Sequence, residues 1–310
     1  YHTHLHKYLI TNPDEAENLG FIRMKDGSVK IPSNKTFWYF EAKRLGKVGL
    51  DEIFDRFVKE VGDQLKQYGL DFGKYTAADS TPLEDPHGKY HEHYKKPMYK
   101  LHNLIDAEHY LPLSYAVSDS DDFDSWYLAP MLMKGKNAGA EYDTIYADNH
   151  YGTFEDYADV HCIFDMKPYF KLSKNDTYHS EITKEKLDQW YNKLKKETYY
   201  VKDASETYKL QMLMMHGKKK EVGMYFRNSQ INEYEEAPDT YKEEYHTRNI
   251  VESFNNHLKD GVRLEDNLLH RGIESSRRHA VICLISILSV ALTRAQHGRV
   301  KEMTSFVGLV

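Results

Sequence analysis

Two apolar-rich runs in this chain each end on an aspartate: Lys74-Tyr-Thr-Ala-Ala-Asp79 and Tyr142-Asp-Thr-Ile-Tyr-Ala-Asp148. Both read as short strands, and an acid that closes a strand lies where α/β sheets place their sites, at the carboxyl ends. Between them stand two further strand candidates, Pro97 to Ile105 and Leu111 to Val117, joined by Asp106-Ala-Glu-His. A helix then fits Asp124 to Met133, with Pro130 able to bend it. After Asp148 the pattern predicts a short helix over Thr153 to Asp159 and a fifth strand over Val160 to Phe164. Three hairpin-joined strands followed by alternating strand and helix predict an α/β fold. Its mixed sheet has three antiparallel strands, then parallel ones, and is flanked by helices.

The rest of the chain divides around that block. Residues 1–32 read as irregular, with His2, His4 and His6 alternating and Asn12-Pro13, Gly20 and Gly27 as breakers. Phe37 to Tyr68 is predicted helical, broken near Gly46 and Gly49, with a core stripe of Leu50, Ile53, Phe57, Val61, Leu65 and Tyr68. A polar, lysine- and tyrosine-rich stretch from Pro168 to Pro238 interrupts the core and holds one predicted helix, Lys184 to Lys196. One long helix follows from Thr240 to Lys259, with capping-box spacing at Thr240-x-x-Glu243 and Gly261 at its far end. A last helix covers Arg277 to Gln296. The expected organisation is therefore 1–72 as an N-terminal irregular and helical region, 73–167 as the first part of the core, 168–238 as an insertion, and 239–310 as the remainder of the core.

The chemistry follows from where the acids fall. If the strands ending at Asp79 and Asp148 are parallel neighbours, their carboxylates come side by side. Two unit charges ~4 Å apart repel by about 4 kcal/mol at an effective dielectric of ~20, a penalty that a divalent cation removes. On the helix from Thr240 to Lys259, the residues Tyr245, Arg248, Glu252 and Lys259 fall within a sector of about 60° on one face. A third carboxylate, Glu252, would thus join the two aspartates. Three carboxylates without histidine or cysteine make a hard, all-oxygen site suited to magnesium or manganese rather than zinc. Phosphoryl transfer needs such a site together with cations that hold the flanking phosphates. The competing reading of this helix is an ordinary charged surface with an i,i+4 pair at Arg248 and Glu252.

The ordered spacing Y-x2-R-x3-E-x6-K in Tyr245, Arg248, Glu252 and Lys259 resembles the signature of insertion-sequence transposases of the DDE type. Ala77-Ala-Asp-Ser-Thr81 resembles that family's first-aspartate strand and Tyr146-Ala-Asp-Asn-His-Tyr-Gly152 its second. Lys100-Leu-His102, Phe123-Asp-Ser125 and Arg294-Ala-Gln-His-Gly298 resemble the segments between and after, so the likeness runs from about Ile31 to Gly298. The resemblance implies an RNase H-like fold with an insertion before the glutamate helix. It implies catalytic, metal-binding Asp79, Asp148 and Glu252 with two Mg2+ ions (Mn2+ able to substitute). It also implies DNA-contacting Tyr245, Arg248 and Lys259, cleavage at transposon ends, and attack of the freed 3′-hydroxyl on target DNA. The implied partners are double-stranded DNA, both transposon ends and target, and a second copy of the chain assembled on it. Two other functions compete: an RNase H-like nuclease without strand transfer, and a catalytically retired DNA-binding descendant. The family usually carries an end-binding region upstream. Residues 1–72 show neither a clear helix-turn-helix nor a basic arm, so end recognition is either lost or carried by residues outside this sequence. The start at Tyr1, without methionine, leaves room for sequence upstream.

Composition bounds these readings. At 40% hydrophobic and 29% charged the chain is globular rather than disordered. A net charge of −6 argues, taken alone, against nucleic acid, but Lys167 to Lys220 carries thirteen lysines against seven acids, and Lys259 to Arg299 seven basic residues against four acids. Cys162 and Cys283 cannot build a disulfide framework, which fits a reducing, cytoplasmic (nucleoid-associated) setting. The apolar run Ala280 to Thr293 would span about 21 Å as a helix, short of a ~30 Å bilayer core, and reads as a buried helix with no membrane partner. The clusters His2/His4/His6 and His87/His91/His93 read as chance, and Asp119 to Asp124 lacks the glycine and glutamate of a calcium loop. In the family reading Asp124 is instead a helix N-cap. Glu84 and Asp85 are expected in a hairpin loop, and Trp190 as a packing residue rather than a base-stacking one.

Overall fold

Three long strands form one half of the sheet and are buried along most of their shared length. β1 (Tyr75–His91), β2 (Lys96–Asp106) and β3 (Leu111–Asp119) pair antiparallel as successive hairpins. β4 (Thr144–Ala147) and β5 (Lys167–Phe170) add in parallel on the other edge of β1, giving the order β3-β2-β1-β4-β5. This five-stranded mixed sheet flanked by helices is consistent with the RNase H-like fold. The computed structural model describes residues 2–172, 179–197, 201, 203–265 and 272–305. Of the charges counted above, Lys174, Asp176, Lys202, Asp266 and Arg271 lie outside the described residues.

Before the sheet come α1 (His2–Thr11), α2 (Pro13–Asn18), α3 (Asn34–Tyr39) and, after a π-helical stretch at Phe40–Leu45, α4 (Gly46–Gln67). Residues 2–18 are thus largely helical rather than irregular, while 19–32 form turns with one isolated bridge between Arg23 and Val29. Leu9 is buried on α1, and Asn12-Pro13 opens α2 instead of ending order, because proline fits the first helical position. The break near Gly46 is present, with φ at +58°, whereas Gly49 lies inside α4. The core stripe on α4 is Leu50, Phe54, Val58, Val61 and Leu65. Ile53 and Phe57 are only half-buried, so the face is rotated from the one expected.

After β3 follow α5 (Ser125–Asn137) and α6 (Phe154–Cys162). The apolar run Val160 to Phe164, expected as a strand, is instead the end of α6 and its exit turn, and the fifth strand lies at Lys167–Phe170. A short apolar run satisfies helix and strand alike. Here the capping box between Thr153 and Asp156 decides for helix. Asp124 stands at the N-cap position of α5 as expected but makes no side-chain capping bond; its carboxylate accepts from Lys100 Nζ at 2.6 Å and Ser80 Oγ at 3.1 Å.

Among its described residues the lysine-rich stretch holds three α-helices where one was expected: α7 (Lys184–Glu197), α8 (Glu206–Leu213) and α9 (Lys219–Glu236). They bury Ile182, Leu187, Tyr191, Leu210, Leu213 and Val222 against Ala158 and Cys162 of α6 in a second, smaller core. Trp190 packs half-buried on that core, with Lys218 Nζ 4.6 Å from its ring centroid. The single helix expected from Thr240 to Lys259 is two, α10 (Pro238–His246) and α11 (Asn249–Asp260), and Ala237, not Thr240, precedes the first. Finally α12 (Ile273–Gln296) packs on α4 and buries Ala280, Leu284, Ile287, Leu288 and Ala291. Among the described residues it is the one helix long and apolar enough to cross a membrane, and it serves here as a core helix.

Candidate active site

The parallel register of β1 and β4 runs from Tyr75↔Thr144 to Ala78↔Ala147, so the next residue on each strand is Asp79 and Asp148. Neighbouring strands lie about 4.8 Å apart, which places the two acids side by side. β4 ends there. Asp148 turns the chain into the one-turn 3₁₀ helix Asn149–Tyr151, its carboxylate accepting from His150 N at 2.9 Å. β1 does not end at Asp79, as expected, but continues beside β2 to His91. The cleft therefore opens because β4 stops. Glu84 and Asp85 lie within β1 and not in a loop; Asp85 is buried and accepts from Gly272 N and Ser276 Oγ, a structural tie to α12.

The break at Thr247-Arg248 separates the four residues expected on one helical face. Tyr245 sits on α10, Arg248 at the start of α11, and Glu252 one turn on. Arg248 makes the junction useful. One of its N–H groups donates to Glu252 Oε1 at 2.6 Å and another to Asp79 Oδ1 at 3.3 Å. Burial pushes the Asp79 carboxyl up to about 6; Arg248 opposes the rise, while the charges of Asp148 and Glu252 add to it. Burial likewise pushes the Tyr245 phenol up to about 12, against Arg248 and with Asp148, Glu252 and Asp79 adding. Its buried hydroxyl has no hydrogen-bond partner among the described residues. Asp79, Asp148, Tyr245, Arg248 and Glu252 thus share one neighbourhood. Lys259 does not join them. It lies two turns, about 10 Å, further along α11 and pairs with Glu265 at 3.0 Å.

Several residues at this site carried no role in the sequence reading. Asn255 Nδ2 donates to Asp79 Oδ2 at 3.2 Å, and Asn103 Nδ2 donates to Asn255 Oδ1 at 2.8 Å. The i+3 spacing from Glu252 to Asn255 was the available signal, since it puts both on one face of a helix. On the other side His102, fully buried, contacts Ser118 Oγ at 2.8 Å and the Tyr151 hydroxyl at 3.2 Å and stacks on Tyr127. Burial pulls its imidazole down to about 4, so it stays neutral near pH 7 and serves as a hydrogen-bonding spacer behind the Asp148 turn.

Whether these acids suit a divalent metal can be judged from the donor set. Among the described residues, no three His, Cys, Asp or Glu side chains stand close enough together to hold a metal ion as placed. The guanidinium of Arg248 instead spans Asp79 and Glu252. The donors themselves fit. All are carboxylates, and Asp79 is raised because one guanidinium does not compensate its burial beside two further acids.

Residues 72–289 match the family model described as the transposase DDE domain. No curated protein and no solved structure gives a significant match to the chain.

Proposed function

The chain belongs to the transposase DDE domain family, and from that membership we propose that Asp79, Asp148 and Glu252 are its catalytic carboxylates. In this reading the enzyme cleaves DNA at transposon ends and then joins the freed 3′-hydroxyl to target DNA. The observation that carries it is the parallel register setting Asp79 beside Asp148, with Arg248 tying Asp79 to Glu252.

Asp79, Asp148 and Glu252 would hold two Mg2+ ions, with Mn2+ able to substitute. A metal held by these carboxylates would supply charge stabilisation and a polarised attacking oxygen for in-line phosphoryl transfer. The chain's own residues prepare the site for DNA. Arg248, now neutralising two carboxylates, is the cation nearest the acids and can turn to a phosphate oxygen once they are otherwise compensated. Burial keeps the Tyr245 phenol protonated, and its unpartnered hydroxyl would donate to a second phosphate oxygen once Arg248 turns away and uncovers it. Lys259, beyond the acids on α11, would hold the backbone further along. Because two ends must be joined in concert, the working form would be a homodimer on DNA. Residues 168–238 are read as an insertion between the core segments 73–167 and 239–310, with 1–72 preceding them.

Strand transfer separates this function from plain hydrolysis. With Mn2+, a labelled duplex carrying a free 3′-hydroxyl is expected to join to a supercoiled plasmid. Cleavage with no joined product would reduce the activity to that of an RNase H-like nuclease, and DNA binding with neither would leave a retired transposase.

A further inference from the structure

We propose that Asn255, with Asn103 behind it, is a positioning residue that fixes the Asp79 carboxylate and holds it in register with the glutamate helix. The proposal rests on the reading of Asp79 and Glu252 as catalytic carboxylates. Its geometry is independent of that reading. Asn103 lies directly opposite Asp79 in the antiparallel register of β1 and β2, and Asn255 reaches both from α11, three residues after Glu252. Both amides are buried, Asn103 at 0% and Asn255 at 5% exposure.

A primary amide has a donor end and an acceptor end. Asn103 Nδ2 donates to Asn255 Oδ1, so Asn255 must turn its own NH2 toward Asp79 Oδ2. The opposite orientation would set a carbonyl oxygen against a carboxylate and lose both bonds. Asp79 is then tied to α11 twice: by Arg248 through one oxygen, and by Asn255 through the other. The two ties differ in kind. Arg248 neutralises charge and competes with any cation for the same oxygens. Asn255 is neutral and uses one lone pair of a carboxylate that offers about four, so it can stay in place while Asp79 takes other partners.

A packing role explains this pair poorly. Val251, Phe254 and Leu258 already bury the inner face of α11. Two buried amides cost stability unless every polar atom is paired, and Asn103 Oδ1 has no partner among the described residues. A pair of leucines would pack as well; it could not orient a carboxylate.

The test compares Asn255→Leu, Asn255→Asp, Asn103→Leu and the double leucine variant with the unsubstituted chain. Four quantities are measured: single-turnover plasmid cleavage in Mn2+, DNA Kd, melting temperature, and the Mn2+ concentration that half-saturates the thermal shift. Asn255→Leu is expected to slow cleavage and to raise the half-saturating Mn2+ concentration, each by about 10- to 100-fold, with DNA Kd unchanged; its melting temperature falls slightly, because the buried Asn103 amide loses its partner, and the double leucine variant regains that loss. Asn255→Asp, which keeps the shape but removes the donor, should be at least as slow. Asn103→Leu should cost less, about tenfold, and the double variant no more than Asn255→Leu alone, because the two act through one bond chain. Wild-type cleavage and Mn2+ dependence in Asn255→Leu would overturn the proposal. So would a fall in melting temperature that accounts for the whole loss, or strict additivity of the two leucine substitutions. An unsubstituted chain that binds DNA and never cleaves it would count against the catalytic reading itself, and the Mn2+ shift would still decide the role of Asn255.

Discussion

Asp148→Asn, Asp79→Asn and Glu252→Gln are each expected to lower metal-dependent DNA cleavage by about a thousandfold or more, roughly 4 kcal/mol of transition-state stabilisation. DNA affinity should stay within a few-fold, because an amide replaces a carboxylate of the same shape and removes a negative charge facing the phosphates. Stability should not fall with activity. Asp79 is raised to about 6 by burial beside Asp148 and Glu252, so its charged form is disfavoured in the fold. Asp79→Asn removes that penalty and keeps an acceptor for Arg248, while its NH2 faces the Asn255 NH2 and gives up that one hydrogen bond. The variant is expected to melt at or above the wild-type temperature at pH 7 while being inert, the separation expected where a site is maintained against stability. Scanning calorimetry and a plasmid-cleavage assay read the two effects. Near-wild-type cleavage by any one variant removes that residue from the catalytic set.

The largest loss of stability is expected at Gly223. There α9 crosses α6 so closely that an added Cβ would lie 1.6 Å from the carbonyl oxygen of Phe154 and 2.4 Å from its carbon. Both are backbone atoms in the first turn of α6 and cannot swing aside. Gly223→Ala must therefore push the helices apart, opening the contact of Val222 with Ala158 and Cys162. Overpacking of this kind costs about 1–3 kcal/mol, and more where backbone is met. The upper end, about 3 kcal/mol, is expected in denaturant unfolding. Activity should fall as well, since α6 begins six residues after Asp148 and its capping box anchors the turn leaving that acid. A change below about 0.5 kcal/mol, the range of ordinary surface substitutions, would show that the two helices do not meet as described.

Much of the sheet was legible because its signals are local. β2 and β3 are strand-forming runs joined by a short turn, and β4 is an apolar run closed by an acid and a turn. Asp79 was harder. Its run was read as a strand that stops, whereas β1 continues past Pro82 with β2 as partner while only its parallel neighbour ends. What makes Asp79 accessible is the length of another strand, which no local pattern around residue 79 encodes. The break between α10 and α11 was missed for a related reason. Thr247-Arg248 has no glycine or proline, and both residues keep right-handed helical backbone angles, so propensity cannot mark the junction. The strand expected at Val160 to Phe164 failed because β-branched and aromatic residues serve a buried helix end equally well, and the deciding capping box sits seven residues earlier. The helices α8 and α9 were hidden by lysines and tyrosines whose apolar partners are shared with α6, a pattern visible only in three dimensions. At the site itself, Glu252 and Arg248 could be named from their spacing. Asn103 could not: its importance lies in facing Asp79 across the sheet and meeting Asn255 from a helix 152 residues away.

The central claim is that three carboxylates, two of them now paired with Arg248, form a divalent-metal site on DNA. The most direct measurement is the anomalous difference map of a crystal of the chain bound to a DNA duplex in Mn2+. Peaks bridging Asp79, Asp148 and Glu252, with Arg248 turned from Asp79 toward a phosphate, are the expected result. Well-ordered DNA with no manganese at these acids, and the Arg248 contacts to Asp79 and Glu252 intact, would contradict it.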